Sequence, residues 1–333
     1  MRNGVTFWTE GGSVIGMGHV VRSINVARAI SSREIPVHFL VNSDKAVTER
    51  LESFGMPHIS YTLEKTHASR LTKDIVVIDT KRDVSGQISA LKAEGKKVVL
   101  IDNSLSAGYA DIHIMPSAFN KGDCGVNLFA GSRFVIIGQN FLNHCQAEKK
   151  FSLPLKVLVT MGGADPFKLT ELVMEGLKDI KDIEVTVVIG PAFDPDRGLA
   201  ESLGRDNKIE VLPDVRDMAP VIDKAHIAFT AVGTTIYELA YMGVPSIIVG
   251  NYRTDESDLR EIDALGIGVS LGYYADLKID KVKEAVERFK KATEWESFSK
   301  NGRALVDGRG ASRIAELIDA LYNEKTDISP EGI

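Results

Sequence analysis

Short apolar runs rich in β-branched residues alternate along the whole chain with longer stretches whose apolar positions recur at helical spacing. In the first half the runs are Val5 to Trp8, Val37 to Val41, Ile75 to Asp79, Val98 to Asp102 and Ile112 to Met115. Helical patterns at His19 to Ser31, Ala46 to Phe54 and Val84 to Glu94 lie between them. This rhythm predicts a parallel sheet covered on both faces. Ile75-Val76-Val77-Ile78 has no polar alternation, as expected of a central strand buried on both sides.

The rhythm breaks at Gln146 to Lys150, and Leu153-Pro154 punctuates the break. It then restarts, with strands expected at Lys156 to Thr160, Glu184 to Ile189, Ile209 to Leu212, His226 to Thr230 and Ser246 to Gly250. Helices are expected at Leu169 to Leu177, Met218 to Ala225, Thr234 to Met242, Asp255 to Leu265 and Ala311 to Asn323. The reading is therefore two successive Rossmann-like domains, 1–150 and 151–310, with a C-terminal helix and tail, 311–333, that can pack back on the first domain. The tail from Glu324 is polar and expected to fray. Doubly wound sheets bind ligands at the carboxyl ends of their strands, which predicts a site in a cleft where two such edges face each other.

Composition narrows the function. With 333 residues and 44% hydrophobic content, two cores are affordable. A net charge of -6 argues against general nucleic-acid binding. No apolar run approaches the roughly 20 residues of a membrane span. The start Met1-Arg2-Asn3-Gly4 has no basic-then-apolar secretory pattern, so a cytoplasmic location is expected. Cys124 and Cys145 lack CxxC or histidine spacing, and no paired-carboxylate or HxxxH pattern stands out. Neither a metal nor a cofactor is predicted.

Three motifs carry the candidate chemistry. Gly11-Gly12-Ser13-Val14-Ile15-Gly16-Met17-Gly18-His19 follows the first strand and opens the first helix. Its glycines permit close backbone approach, and the helix start offers free amides to an anion. The spacing is not GxGxxG, and Val41-Asn42-Ser43-Asp44 places no clear acidic residue for a ribose. His19 stands where a proton is handled, or else it packs at the helix start; local sequence weighs the two evenly. Met161-Gly162-Gly163-Ala164-Asp165-Pro166 follows the first strand of the second half, with Asp165 read as a helix cap and Pro166 as the first helical residue. In Gly233-Thr234-Thr235-Ile236-Tyr237-Glu238 a strand ends, the chain turns, and two hydroxyls suit a diphosphate. Glu238 then accepts from a ribose diol, or else completes a capping box with Thr235. His38 and His226 read as residues inside strands, His58 and His67 as surface or loop residues, and His113 and His144 as weak candidates for the cleft.

These motifs, with Gly16-Met17-Gly18-His19-Val20-Val21-Arg22 and Asp307-Gly308-Arg309-Gly310-Ala311, resemble the nucleotide-sugar hydrolases of pseudaminic acid biosynthesis and the related spore-coat polysaccharide biosynthesis family. More distantly they resemble the peptidoglycan N-acetylglucosaminyltransferase. The resemblance covers nearly the whole chain and implies a GT-B fold. It implies that His19 handles an attacking water, that Glu238 binds ribose, and that Asn251 falls on an active-site asparagine. Gly16, Gly18, Arg22, Gly162, Gly163, Gly233, Thr234 and Thr235, which lie in the motifs themselves, are the substrate- and nucleotide-binding candidates. Three segments depart from the family. Trp8-Thr9-Glu10 replaces an Arg-x-Asp segment, Lys81 stands where the hydrolase has a tyrosine, and Asn251-Tyr252 replaces an Asn-Gln pair. Lys81 is accordingly a substrate-side candidate.

The implied reaction is metal-independent release of UDP from a UDP-linked amino or deoxy sugar, by water attack at the anomeric carbon with inversion. A diphosphate leaves readily, so the paired carboxylates of ordinary glycosidases are not needed. The expected partner is the UDP-sugar itself, with the protein a monomer or small homo-oligomer. The rival reading is an inverting glycosyltransferase using the same cleft. A non-catalytic sugar-nucleotide binder and, more weakly, a dehydrogenase are the alternatives from other classes.

Overall fold

A computed structural model describes residues 3–12, 15–61, 73–119, 127–144, 149–163, 165–190, 193 and 209–324. The tail beyond 324, both cysteines and His67 lie outside the described residues. The chain divides into two compact units, residues 1–138 with 308–333, and residues 139–307. The first unit's contiguous stretch ends at Gly138, upstream of the boundary at residue 150 read from the sequence.

The first unit is built on β1 (Val5–Thr9), β2 (Val37–Asn42), β3 (His58–Tyr61), β4 (Ile75–Asp79), β5 (Lys97–Ile101), β6 (Ile112–Met115) and β7 (Leu128–Ala130). They form one parallel sheet in the order β3-β2-β1-β4-β5-β6-β7. Every residue of β4 is buried, as its unbroken apolar run requires. The helices are α1 (Gly18–Ser31), α2 (Lys45–Ser53) and α3 (Ser85–Ala93). Asp44 caps α2, its carboxylate accepting from the amides of Ala46 and Val47.

The second unit holds α4 (Gln139–Asn143), β8 (Leu155–Thr160), α5 (Leu169–Leu177), β9 (Ile183–Ile189), β10 (Ile209–Pro213) and α6 (Ala219–Lys224). It continues through β11 (Ile227–Ala231), α7 (Thr235–Tyr241), β12 (Ser246–Gly250), α8 (Glu256–Leu265) and β13 (Gly268–Tyr273). Its last helices are α9 (Ile279–Phe289) and α10 (Ala292–Leu305). The sheet order is β10-β9-β8-β11-β12-β13, again parallel throughout. The strand order switches direction between β1 and β4 in one sheet and between β8 and β11 in the other. Those two points are the ligand positions of doubly wound folds.

The helix α11 (Gly310–Tyr322) belongs to the first unit and packs on α1. Its buried Ile314, Leu317 and Ile318 join Ile24, Ala27 and Ile30 of α1 in one core. Each such fully buried side chain contributes roughly 1.5–3 kcal/mol. Gly310 is required at its start, because a Cβ there would collide with the carbonyl oxygen of Val135.

The strands β3, β7 and β13 and the helices α4, α9 and α10 are absent from the sequence reading. All three strands are sheet edges; β3 and β13 lack a continuous apolar run, and the apolar run of β7 is only three residues long. His58, read as a surface or loop residue, opens β3 and is half-buried. His226 lies just before β11 rather than within it, where its Nδ1 accepts from the Lys156 amide at 3.1 Å.

Candidate functional site

In the first sheet, Thr9 pairs with Asp79, and Asp79 with Ile101. Glu10, Thr80 and Asp102 therefore leave the sheet side by side at its carboxyl edge. Asn42 pins the glycine loop to that edge. Its amide donates to the Gly11 carbonyl at 2.8 Å, and its oxygen accepts from the Gly11 amide at 3.0 Å. Gly12 and Gly16 then exchange backbone hydrogen bonds, with Gly16 at φ 84, a conformation that favours glycine. The loop delivers Gly18 as the first residue of α1, whose first turn has no side-chain cap. Asn42 thus anchors the glycine loop, and Asp44 caps α2 through Oδ1.

His19 and Arg22 stand one turn apart on α1 and converge on Asp79. His19 Nδ1 lies 2.6 Å from Asp79 Oδ1. Arg22 clamps the same carboxylate with Nε at 2.8 Å and Nη2 at 2.7 Å. Its Nη1 reaches Asp102 Oδ2 at 3.0 Å. Asp79 is fully buried, which opposes ionisation. The Arg22 charge and hydrogen bonds, aided by His19, outweigh burial and hold the carboxyl below the usual range. An ionised Asp79 only accepts, so His19 Nδ1 carries the proton and donates it. That leaves Nε2 as the basic nitrogen on a side chain that is 12% exposed. Burial works against the Arg22 charge, but Asp79 and Asp102 raise its pKa above the ordinary value.

Lys81 donates to Asp102 Oδ2 at 2.9 Å, so it joins the same cluster through the carboxylate that also binds Arg22. Burial opposes ionisation of Asp102, but Arg22 and Lys81 hold its pKa below the ordinary value. A cavity of about 340 Å³ opens here, walled by Lys81, Asp102, Ser104, Leu105 and Met115. Beside it, Glu10 is buried and accepts from Tyr61 at 2.7 Å, from Thr80 at 2.9 Å, and from Arg82. Trp8 Nε1 donates to the Tyr61 hydroxyl at 2.8 Å. In the departing segment Trp8-Thr9-Glu10, Trp8 and Glu10 thus belong to one buried hydrogen-bonded network, while the buried Thr9 hydroxyl has no partner among the described residues.

In the second sheet, Thr160 pairs with Thr230, and Ala231 with Val249. The loops carrying Gly162 and Gly163, then Gly233 and Thr234, then Asn251 therefore leave adjacent strands at one edge. Gly162, Gly163, Gly233 and Thr234 are exposed. The N-cap is Thr234, which makes no capping hydrogen bond, and Thr235 is already the first helical residue, so the capping box read between Thr235 and Glu238 does not form. Glu238 makes no side-chain hydrogen bond or ion pair among the described residues. Burial pushes its carboxyl up to about 7. Asp165 caps α5 as predicted, accepting from Leu169 at 2.7 Å and Thr170 at 3.0 Å. Pro166 is not the first helical residue, however. The turn closed by Lys168 N to Asp165 O intervenes, with Lys168 in the left-handed region, and α5 begins at Leu169.

His19, Arg22, Lys81, Gly16 and Gly18 are thus gathered on the first unit, and Gly162, Gly163, Gly233, Thr234, Thr235, Glu238 and Asn251 on the second. Sequence reasoning missed Asp79 and Asp102 as site residues. The signal was present, since each is an acidic residue terminating an apolar strand run. His113 is buried within β6, and His144 pairs with Asp223 at 3.2 Å inside the second unit. No group of three potential metal ligands occurs among the described residues. No helix of the described residues is long and apolar enough to cross a membrane.

Residues 157–299 match the glycosyltransferase family 28 C-terminal domain. The chain resembles MurG of Acinetobacter baumannii over 95% of its own length and 99% of that chain, with a TM-score of 0.72 and 16% identity. The fold is GT-B. HepE of Anabaena, solved in complex with UDP-glucose, is also similar, with a TM-score of 0.63 and 12% identity over 96% of this chain and all of that one (100%). In sequence, the chain is 23% identical to the spore coat polysaccharide biosynthesis protein SpsG of Bacillus subtilis, over 96% of this chain and 99% of that protein.

Proposed function

We propose that the protein is a nucleotide-sugar hydrolase of surface-polysaccharide or nonulosonic acid biosynthesis, releasing UDP from a UDP-linked amino or deoxy sugar. The observation that carries this reading is the His19–Asp79 pair held by Arg22. A histidine with Nδ1 committed to a buried carboxylate offers Nε2 as a base for a nucleophile. Water loses a proton to Nε2 as its oxygen bonds to the anomeric carbon. The bond from that carbon to the diphosphate oxygen breaks, and UDP leaves with the bonding pair. The products are UDP and a free sugar of inverted configuration.

The second unit's role in this reading is to hold the leaving group. The Thr234 and Thr235 hydroxyls and the Gly162, Gly163 and Gly233 backbone meet the diphosphate. Glu238 accepts from the ribose diol, and Asn251 meets the sugar. Residue similarity to a matched glycosyltransferase domain over 157–299 supports that assignment. No charged metal is invoked, because hydrogen-bond donors suffice for a diphosphate leaving group.

The cavity beside Lys81 and Asp102 favours one other reading. It has room for an acceptor hydroxyl in place of water, which would make the enzyme an inverting glycosyltransferase. Phosphorus NMR of UDP-sugars incubated with the protein in heavy-oxygen water decides between them. UDP release with the label on the sugar, lost in His19→Ala, supports hydrolysis. Binding with no turnover until an acceptor is supplied overturns it in favour of transfer.

A further inference from the structure

The strand β12 ends at Gly250, beside the strand whose loop carries Gly233 and Thr234. The next two residues are fixed by a single carboxylate. The backbone amides of Asn251 and Tyr252 both donate to Asp255 Oδ2, each at 2.9 Å. The Tyr252 ring is 57% exposed. It meets Phe167 edge to face, with centroids 5.6 Å apart and planes at 87°. Phe167 in turn stacks on Tyr274 at 4.6 Å and 27°. An exposed aromatic ring is thus supported on one side by Phe167, which is itself backed by Tyr274, while its backbone is held by Asp255.

We propose that Tyr252 is a specificity-determining residue whose ring stacks on the C–H face of the sugar of the nucleotide-sugar substrate. The inference rests on the reading above, in which Asn251 meets that sugar. Asn251 and Tyr252 are consecutive and their backbone amides share one anchor, so the ring rises from the same fixed turn as the residue assigned to the sugar. A pyranose presents a face of C–H bonds, which an aromatic ring covers without needing hydrogen bonds. Replacing a hydroxyl by hydrogen, or carrying an N-acetyl methyl, enlarges that apolar surface, so deoxy and N-acetylated amino sugars suit the ring best. Tyrosine has only two torsions to fix, and here its surroundings already fix the backbone.

The test is calorimetric binding of UDP and of UDP-N-acetylglucosamine to the full chain, to Tyr252→Ala and to Tyr252→Phe, with melting curves as the folding control. An aromatic contact of this kind corresponds to a change of about three- to tenfold in affinity. The expected result is that loss for UDP-N-acetylglucosamine in Tyr252→Ala, with UDP unchanged within about twofold and Tyr252→Phe close to the parent. Equal loss for both ligands would place the ring against the nucleoside and overturn the proposal. No loss for either would leave Tyr252 without a ligand role, which also overturns it. If the parent protein binds neither ligand while melting cooperatively, the nucleotide-sugar reading itself fails, an outcome distinct from the other two.

Discussion

His19 Nδ1 and Asp79 Oδ1 are 2.6 Å apart, and the carboxylate is fully buried while the imidazole reaches solvent. The relationship is asymmetric. Asp79 is also clamped by two Arg22 nitrogens, so it is fixed independently of His19. Histidine orientation therefore depends on the aspartate more than the reverse.

Replacing Asp79 with asparagine keeps the volume but removes the acceptor charge. His19 then loses its fixed tautomer, and turnover should fall by about 10²- to 10⁴-fold, the range of a positioned general base. Arg22 also loses its main partner, and breaking a buried pair costs roughly 3–5 kcal/mol. Steady-state kinetics, UDP affinity and urea denaturation separate the two effects. UDP affinity should hold, because the diphosphate contacts are assigned to the other unit.

Glu238 makes the pH dependence of the free protein informative. Burial raises its pKa from 4.5 to about 7, so the folded state holds the proton that the unfolded state releases. The stability linked to that proton is fully present below pH 4.5 and is lost as pH rises through about 7. The total is about 3 kcal/mol, and Glu238→Gln should remove that slope from urea midpoints measured across the window. A ribose diol binds the carboxylate form, so UDP affinity should rise as pH increases through about 7. A flat profile in titrations would argue against Glu238 as the ribose contact.

His226 titrates with the opposite sign. Burial, followed by the Lys156 and Lys149 charges, lowers its pKa below 6.5. The neutral ring accepts from the Lys156 amide, and protonation would end that bond. Its stabilising contribution is present above pH 6.5 and lost as pH falls through the folded-state pKa. Melting temperatures between pH 7.5 and pH 5 should fall more steeply for the parent than for His226→Gln.

Leu317 tests the packing of α11 on α1. It is fully buried in the first unit's core, and Leu317→Ala should cost about 2–5 kcal/mol in denaturant unfolding. A loss well below that would mean the core collapses into the space.

Both sheets were legible because their central strands are short apolar runs between helical patterns. Val5, Ile75 and Ser246 each open a strand where periodicity placed one. The edge strand β13, Gly268–Tyr273, was not legible, because its residues alternate with glycine and serine and are mostly half-buried. α9 was passed over for its charge, although Val282, Ala285, Val286 and Phe289 recur at helical spacing. At the site, the glycine loops and His19 were visible as local motifs. The Asp79 and Asp102 contacts were not, since they join α1 to β4 and to the residue after β5 across 57 and 80 positions. Spacing along the chain carries no record of such pairs, whereas a carboxylate closing an apolar strand does hint that a cation waits nearby.

α11 gives the polypeptide an unusual order of assembly. The first unit consists of 1–138 and 308–333, so the second unit is inserted within it. During synthesis residues 139–307 emerge, with a complete sheet of their own, before the helix that covers α1 exists. Until then Ile24, Ala27 and Ile30 lack the part of their core that Ile314, Leu317 and Ile318 supply. The unit that carries His19 and Asp79 is thus the last to close, although its sheet is the first to be made. A nascent chain stopped near residue 307 should hold a protease-resistant second unit beside a first unit that is readily cleaved.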